Sequence, residues 1–114
     1  KRTTLFKTYL EHSATARHFS GRAFRKPGWV LVSTYAADGK RQWLHEKLMA
    51  VSLTPNPQVK ELAFHHGAYN GYWTEPQATV NPDFSGVLFN SNWGSRSVTD
   101  IDNYMVVLPK DALD

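Results

Sequence analysis

The sequence predicts an all-β chain folded as two consecutive four-stranded antiparallel sheets. Short segments rich in Val, Leu and aromatic residues are bounded by Gly, Pro, Asn or Asp, the composition of strands and their turns. No window sustains a helical period beyond two turns. The same kinds of segment also recur in the same order at nearly constant spacing.

The recurrence is an internal repeat. Gly28 to Tyr35 (GWVLVSTY) aligns without gaps on Gly86 to Trp93 (GVLFNSNW), a shift of 58 positions. Both read as a turn glycine, an apolar strand, a serine and a closing aromatic. Lys47 to Val51 (KLMAV) matches Asn103 to Val107 (NYMVV) at a shift of 56, and Thr8 to Ser13 resembles Leu62 to Gly67 at 54. On this frame the strands are expected near 3–10, 15–20, 29–36, 45–53, 58–65, 75–81, 86–92 and 102–108. Pro55-Asn56-Pro57 and Asn81-Pro82-Asp83 are turns, because proline fixes φ and Asn or Asp tolerates the remaining turn geometry.

Four strands in a repeat of this length are what a β-propeller blade requires. Lettered A to D from the hub outward, the chain runs D, then A-B-C-D, then A-B-C. Residues 1–13 are then the outer strand of a preceding blade, 14–67 a complete blade, and 68–114 a final blade lacking its outer strand. The expected whole is the C-terminal part of a larger ring of roughly 300 to 400 residues. The absence of an initiator methionine fits removal of something upstream. The expected partners are the remaining blades, in the same or a cleaved chain. A compact pair closed by pairing Thr3–Leu10 with the last blade is the alternative.

The stretch from Tyr72 to Pro109 carries a family resemblance. It runs YWTEPQATVNPD, then VLFNSNWG from Val87, then DNYMVVLP from Asp102. It resembles a blade of the WD40-like propellers of the TolB type, whose blades read P-x-x-S-P-D-G, then hydrophobic-F-x-S, then D-I-Y-hydrophobic. The blade beginning at Gly28-Trp29 is similar more loosely. Asn81 stands where that pattern has serine, and Phe84-Ser85 precede the turn glycine, so a longer turn is expected there. The resemblance implies a repeat architecture shared by periplasmic scaffolds, peptidase propellers and propeller polysaccharide lyases. It implies no single activity.

Composition narrows the classes. Hydrophobic residues at 41% and charged residues at 20% exclude a disordered chain. Cysteine is absent, which excludes disulfides and thiolate metal sites and leaves cytoplasm and periplasm both open. No apolar run reaches the roughly 18 residues of a membrane span. The net charge of +3, with Lys and Arg scattered, gives nucleic-acid binding little support and permits a weak preference for anionic ligands.

Propeller topology places the D-to-A and B-to-C loops on one face. These are His12 to Arg17, Ala37 to Trp43, His66 to Thr74 and Gly94 to Ile101. The segment from His65 to Trp73 concentrates two imidazoles and three aromatics. Flat rings with polar tips suit stacking on sugars, and imidazole suits proton transfer near neutral pH. His66, His18 and Tyr69 are the candidate catalytic residues, and Arg22, Tyr72, Trp73, Gln77, Trp93 and Arg96 the candidate ligand-binding residues. The structural alternatives are that Tyr72 and Trp73 wedge between blades and that His18 and His66 serve hydrogen bonding. His65 and His66 are adjacent, so on a strand they point to opposite faces and cannot share a metal; no metal site is assigned, and any cofactor is left open. No nucleophile elbow or phosphate-binding Gly loop is present.

The sequence therefore points to a ligand-binding propeller exported to the periplasm or beyond by a bacterium. Its expected ligand is carbohydrate, with an anionic polysaccharide as one form and polysaccharide-lyase activity, if any, confined to the complete propeller. The competing reading is a non-catalytic scaffold for protein-protein interaction. Exposed aromatics grouped with histidine favour the first, and a broad apolar rim favours the second.

Overall fold

A computed structural model describes residues 1–10, 12–36 and 41–114. Among the described residues eight strands follow one another: β1 (Tyr9–Leu10), β2 (Ser13–Ser20), β3 (Trp29–Ala36), β4 (Lys47–Ser52), β5 (Val59–Phe64), β6 (Thr79–Val80), β7 (Gly86–Ser91) and β8 (Asp102–Val107). A 3-10 turn, Tyr72–Thr74, precedes β6. The strands form two antiparallel sheets, ordered β1-β2-β3-β4-β5 and β6-β7-β8, and no closed barrel forms among the described residues. The second sheet has the three strands expected of residues 68–114, and the first has five where residues 14–67 are expected to supply four. The two-residue β1 adds to the edge of β2, with Leu10 opposite Ser13, and no described strand lies beyond β8.

Two expected strands are shorter than their sequence suggests, for local reasons. In the first segment only Tyr9–Leu10 pairs as strand, while Leu5 and Phe6 pack against the face of the large sheet. Near 75–81 only Thr79–Val80 pairs, because Pro76 has no N–H to donate and the Ala78 N–H turns to the Ser33 hydroxyl at 3.3 Å. The turn at Asn81 takes the longer form. Asn81 Oδ1 accepts the N–H groups of Ser85 and Gly86 at 2.9 and 3.0 Å, and Phe84 sits at φ +60 with its ring in the core. The Ser85 hydroxyl and N–H hold the Asp83 carboxylate below the usual carboxylate range.

The large sheet is covered on both faces, which accounts for β4 being buried along its whole length. On one face Leu31, Leu48 and Ala50 meet Val80, Val87 and Phe89 of the small sheet. On the other, Val32, Met49 and Val51 lie under Leu5, Phe6 and Leu10. The repeat segments Trp29–Ala36 and Gly86–Ser91 are both central strands, each in its own sheet, as the ungapped match predicts. The small sheet is covered on one side only. Leu88, Met105 and Val107 point outward and are exposed, Val107 by 74%.

Candidate functional site

Strand alternation puts Ser20 and His18 of β2 on one face, with Ser33 and Tyr35 of β3 beside them. This face meets the segment leading into β6. The Ser20 hydroxyl accepts the Val80 N–H at 3.2 Å and Ser33 holds Ala78, so the incoming chain is fixed residue by residue. Two residues farther up the same face, His18 Nε2 lies 2.7 Å from Glu75 Oε2. Glu75 is only 7% exposed. It is delivered by the 3-10 turn, where the Glu75 N–H donates to the Tyr72 carbonyl at 3.2 Å and Gly71, at φ +92, opens the turn. Thr74 locks that turn, accepting the Asn70 N–H and donating to the Gly71 carbonyl, both at 2.7 Å.

Tyr35 completes the group. Its phenol stands beside Glu75, and its ring stacks on His18 (centroids 5.6 Å apart) and on Tyr69 (5.3 Å). Burial, the hydrogen bond to Glu75 and the charge of that carboxylate push the Tyr35 phenol up to about 12. Tyr35 is therefore a neutral donor at physiological pH. Tyr69 lies at the outer end of the run and is 39% exposed, while the His18 side chain is 31% exposed. A carboxylate-held imidazole beside an accessible aromatic face is equipped to take a ring-shaped ligand and to accept a proton from it.

His18 and Tyr69 are thus brought together, and His66 is not with them. His66, at φ +57, lies against Trp93 with centroids 4.4 Å apart, and Trp93 in turn meets Tyr104 at 4.8 Å. The two groups share one loop. The Asn92 side chain brackets Ala68, accepting its N–H at 2.8 Å and donating to its carbonyl at 2.9 Å, and Asn70 Nδ2 donates to the Arg96 carbonyl at 2.8 Å. The loop after β5 and the loop after β7 therefore converge. Tyr72 and Trp73 pack edge to face at 5.1 Å and are exposed by 59% and 70%, so their rings face solvent instead of wedging between the sheets. Gln77, at φ +42, donates to the Tyr72 carbonyl at 3.3 Å. Arg22 lines a different concavity of about 300 Å³ with Phe24, Leu88 and Met105. Of the expected loop from Ala37 to Trp43, residues 37–40 lie outside the described residues.

Backbone strain marks the same end of the molecule. Among the described residues seven non-glycine positions have positive φ, and five of them (His12, Glu46, His66, Trp93 and Arg96) sit in the loops at this end of the sheets. Such conformations cost energy and concentrate where geometry serves a site. A cleft of about 690 Å³ at the opposite end is roomier, but its lining of Lys26, Asp83, Phe84, Leu108, Asp111 and Asp114 contains no imidazole or phenol. Among the described residues no group of three or more His, Asp or Glu is arranged to hold a metal ion.

Sequence reasoning missed Glu75 and Tyr35 as site residues. Tyr35 carries a signal in retrospect, as the closing aromatic of the first repeat, the position Trp93 holds in the second. Glu75 carries none beyond following a run of aromatics, since its partner lies 57 residues away. Comparison with family models, with curated proteins and with solved structures yields no match to this chain.

Proposed function

We propose that this chain forms successive blades of a larger, exported bacterial β-propeller and binds carbohydrate where the loops after β5 and β7 meet. The observation that carries this reading is the accessible set of rings on those loops: Tyr69, Tyr72, Trp73 and Trp93, exposed from 39% to 70%. Aromatic faces held open to water beside an imidazole suit sugar rings, whose C–H faces stack and whose hydroxyls hydrogen-bond. The stacked antiparallel sheets and the central placement of both repeat strands fit the blade assignment. Polysaccharide-lyase chemistry, which needs a uronate, belongs in this reading to the complete propeller and is not assigned to the His18 cluster.

The scaffold reading has its own support in the outward apolar face of Leu88, Met105 and Val107. A neighbouring blade covers that face equally well, so the loop end decides between the two readings. Calorimetric titration with neutral and uronate oligosaccharides is the test. Binding weakened at least about tenfold by Tyr69→Ala or Trp73→Ala is expected, that factor being about 1.4 kcal/mol. Absence of binding to any sugar at millimolar concentration leaves the scaffold reading in place.

A further inference from the structure

We infer that Glu75 and Tyr35 fix His18 in a single tautomer, so that His18 Nδ1 is the acceptor for a hydroxyl of an uncharged oligosaccharide. The ligand part rests on the carbohydrate reading above; the tautomer part does not. An ionised carboxylate only accepts, so at 2.7 Å the proton between Glu75 Oε2 and His18 Nε2 belongs to the imidazole. His18 from β2 bonds the Glu75 carboxylate, and the Tyr35 phenol of β3 stands beside the same group. With Nε2 protonated, the neutral ring carries its lone pair on Nδ1.

Nδ1 is the atom left for a ligand. It has no hydrogen-bond partner among the described residues, and no buried side-chain nitrogen or oxygen there lacks one, so Nδ1 is open to solvent. Tyr69 stacks on Tyr35, as His18 does, and not on His18 itself, so an oligosaccharide with one ring on the exposed Tyr69 face and another toward His18 is the ligand that reaches both.

Charge selects the ligand class. The ionisable groups in the cluster are His18, Tyr35, Tyr69 and Glu75, and the one fixed charge among them is the Glu75 carboxylate. Arg17, next in sequence to His18, alternates to the opposite face, where its guanidinium lies over Phe19 at 5.8 Å and donates to the Thr15 carbonyl. A uronate carboxylate brought to Nδ1 meets the Glu75 charge with only the imidazole between them. An uncharged, hydroxyl-rich ring meets no such penalty.

The test is long-range proton–nitrogen correlation NMR on the full chain labelled with 15N-histidine, in mildly alkaline buffer, first without ligand and then with cellotriose, maltotriose or trigalacturonate. His18 is expected in the Nε2–H tautomer before any ligand is added. A neutral trisaccharide should then shift the Nδ1 resonance. Replacing Glu75 and Tyr35 together, as Glu75→Leu with Tyr35→Phe, leaves neither group without a partner; it should erase the tautomer bias and weaken neutral-sugar binding about tenfold. An Nδ1–H tautomer in the wild-type chain overturns the inference whatever sugar binds. Tighter binding of trigalacturonate overturns the uncharged-ring assignment. If the tautomer is as stated and no sugar binds, it is the carbohydrate reading that fails, and the placement of His18 by Glu75 stands.

Discussion

His18 and Glu75 are 57 residues apart in the chain and 2.7 Å apart in space, one on the second strand of the large sheet and the other on the turn that begins the small one. The contact joins the two halves of the repeat and gives the site its buried charge. Removing the carboxylate as Glu75→Ala leaves His18 Nε2 without its acceptor, and should cost about 1–3 kcal/mol. Urea unfolding of the two proteins measures it; a change under about 0.5 kcal/mol is the range of an ordinary surface substitution and contradicts the contact.

The Tyr35 phenol gives a pH signature. Its folded value is raised from 10.0 to about 12, so the folded state favours the protonated form. The resulting stability is complete below about pH 10 and is lost as pH rises through about 12. Subtracting the stability profile of Tyr35→Phe from that of the wild type should expose this alkaline loss, and a flat difference through that window contradicts it.

His65 behaves oppositely. Its Nε2–H donates to the Thr34 carbonyl at 2.7 Å and its Nδ1 accepts the Gly67 N–H at 3.0 Å, a neutral ring satisfied on both sides. Burial holds its pKa below 6.5, with the Thr34 hydrogen bond opposing in part. Folding therefore disfavours the proton: the stability is complete above about pH 6.5 and is lost as pH falls below it toward the folded-state value. A second proton on the ring also sets Nδ1–H against the Gly67 N–H. His65→Gln should lower stability by about 1–3 kcal/mol at neutral pH and flatten the acid limb measured by urea unfolding; an unchanged limb assigns it to other groups.

The outward face of the small sheet predicts association. Tyr104 to Leu108 contains no lysine or proline, and β8 presents an edge that no described strand pairs. Light scattering coupled to size exclusion should find the 114-residue chain self-associating, and Met105→Lys with Val107→Lys should return it to monomer. A monodisperse wild-type monomer with a cooperative melt shows that the two sheets need no further cover.

Much of the fold was legible in the sequence because it is written in period and punctuation. The match of Gly28–Tyr35 with Gly86–Trp93 predicts two central strands in separate sheets, and that is where they lie. The strand at 3–10 was misjudged because Leu5 and Phe6 read alike whether they pair along an edge or cover a face. The site was half legible. His18 and Tyr69 stand out as residue types suited to chemistry, whereas Glu75 gains its meaning only from a partner in another sheet. His66 and Trp93 show the converse, adjacent loops whose aromatic contact follows from topology once the repeat is known.

Chemical-shift mapping bears most directly on the claim that sugar binds where the two loops converge. In a proton–nitrogen correlation titration of the 15N-labelled chain with a neutral trisaccharide, saturable shifts should appear at His18, Tyr69, Asn70, Tyr72 and Trp73, with the outward residues Leu88, Met105 and Val107 unmoved. Shifts confined to that outward face, or none at saturating sugar, contradict the account.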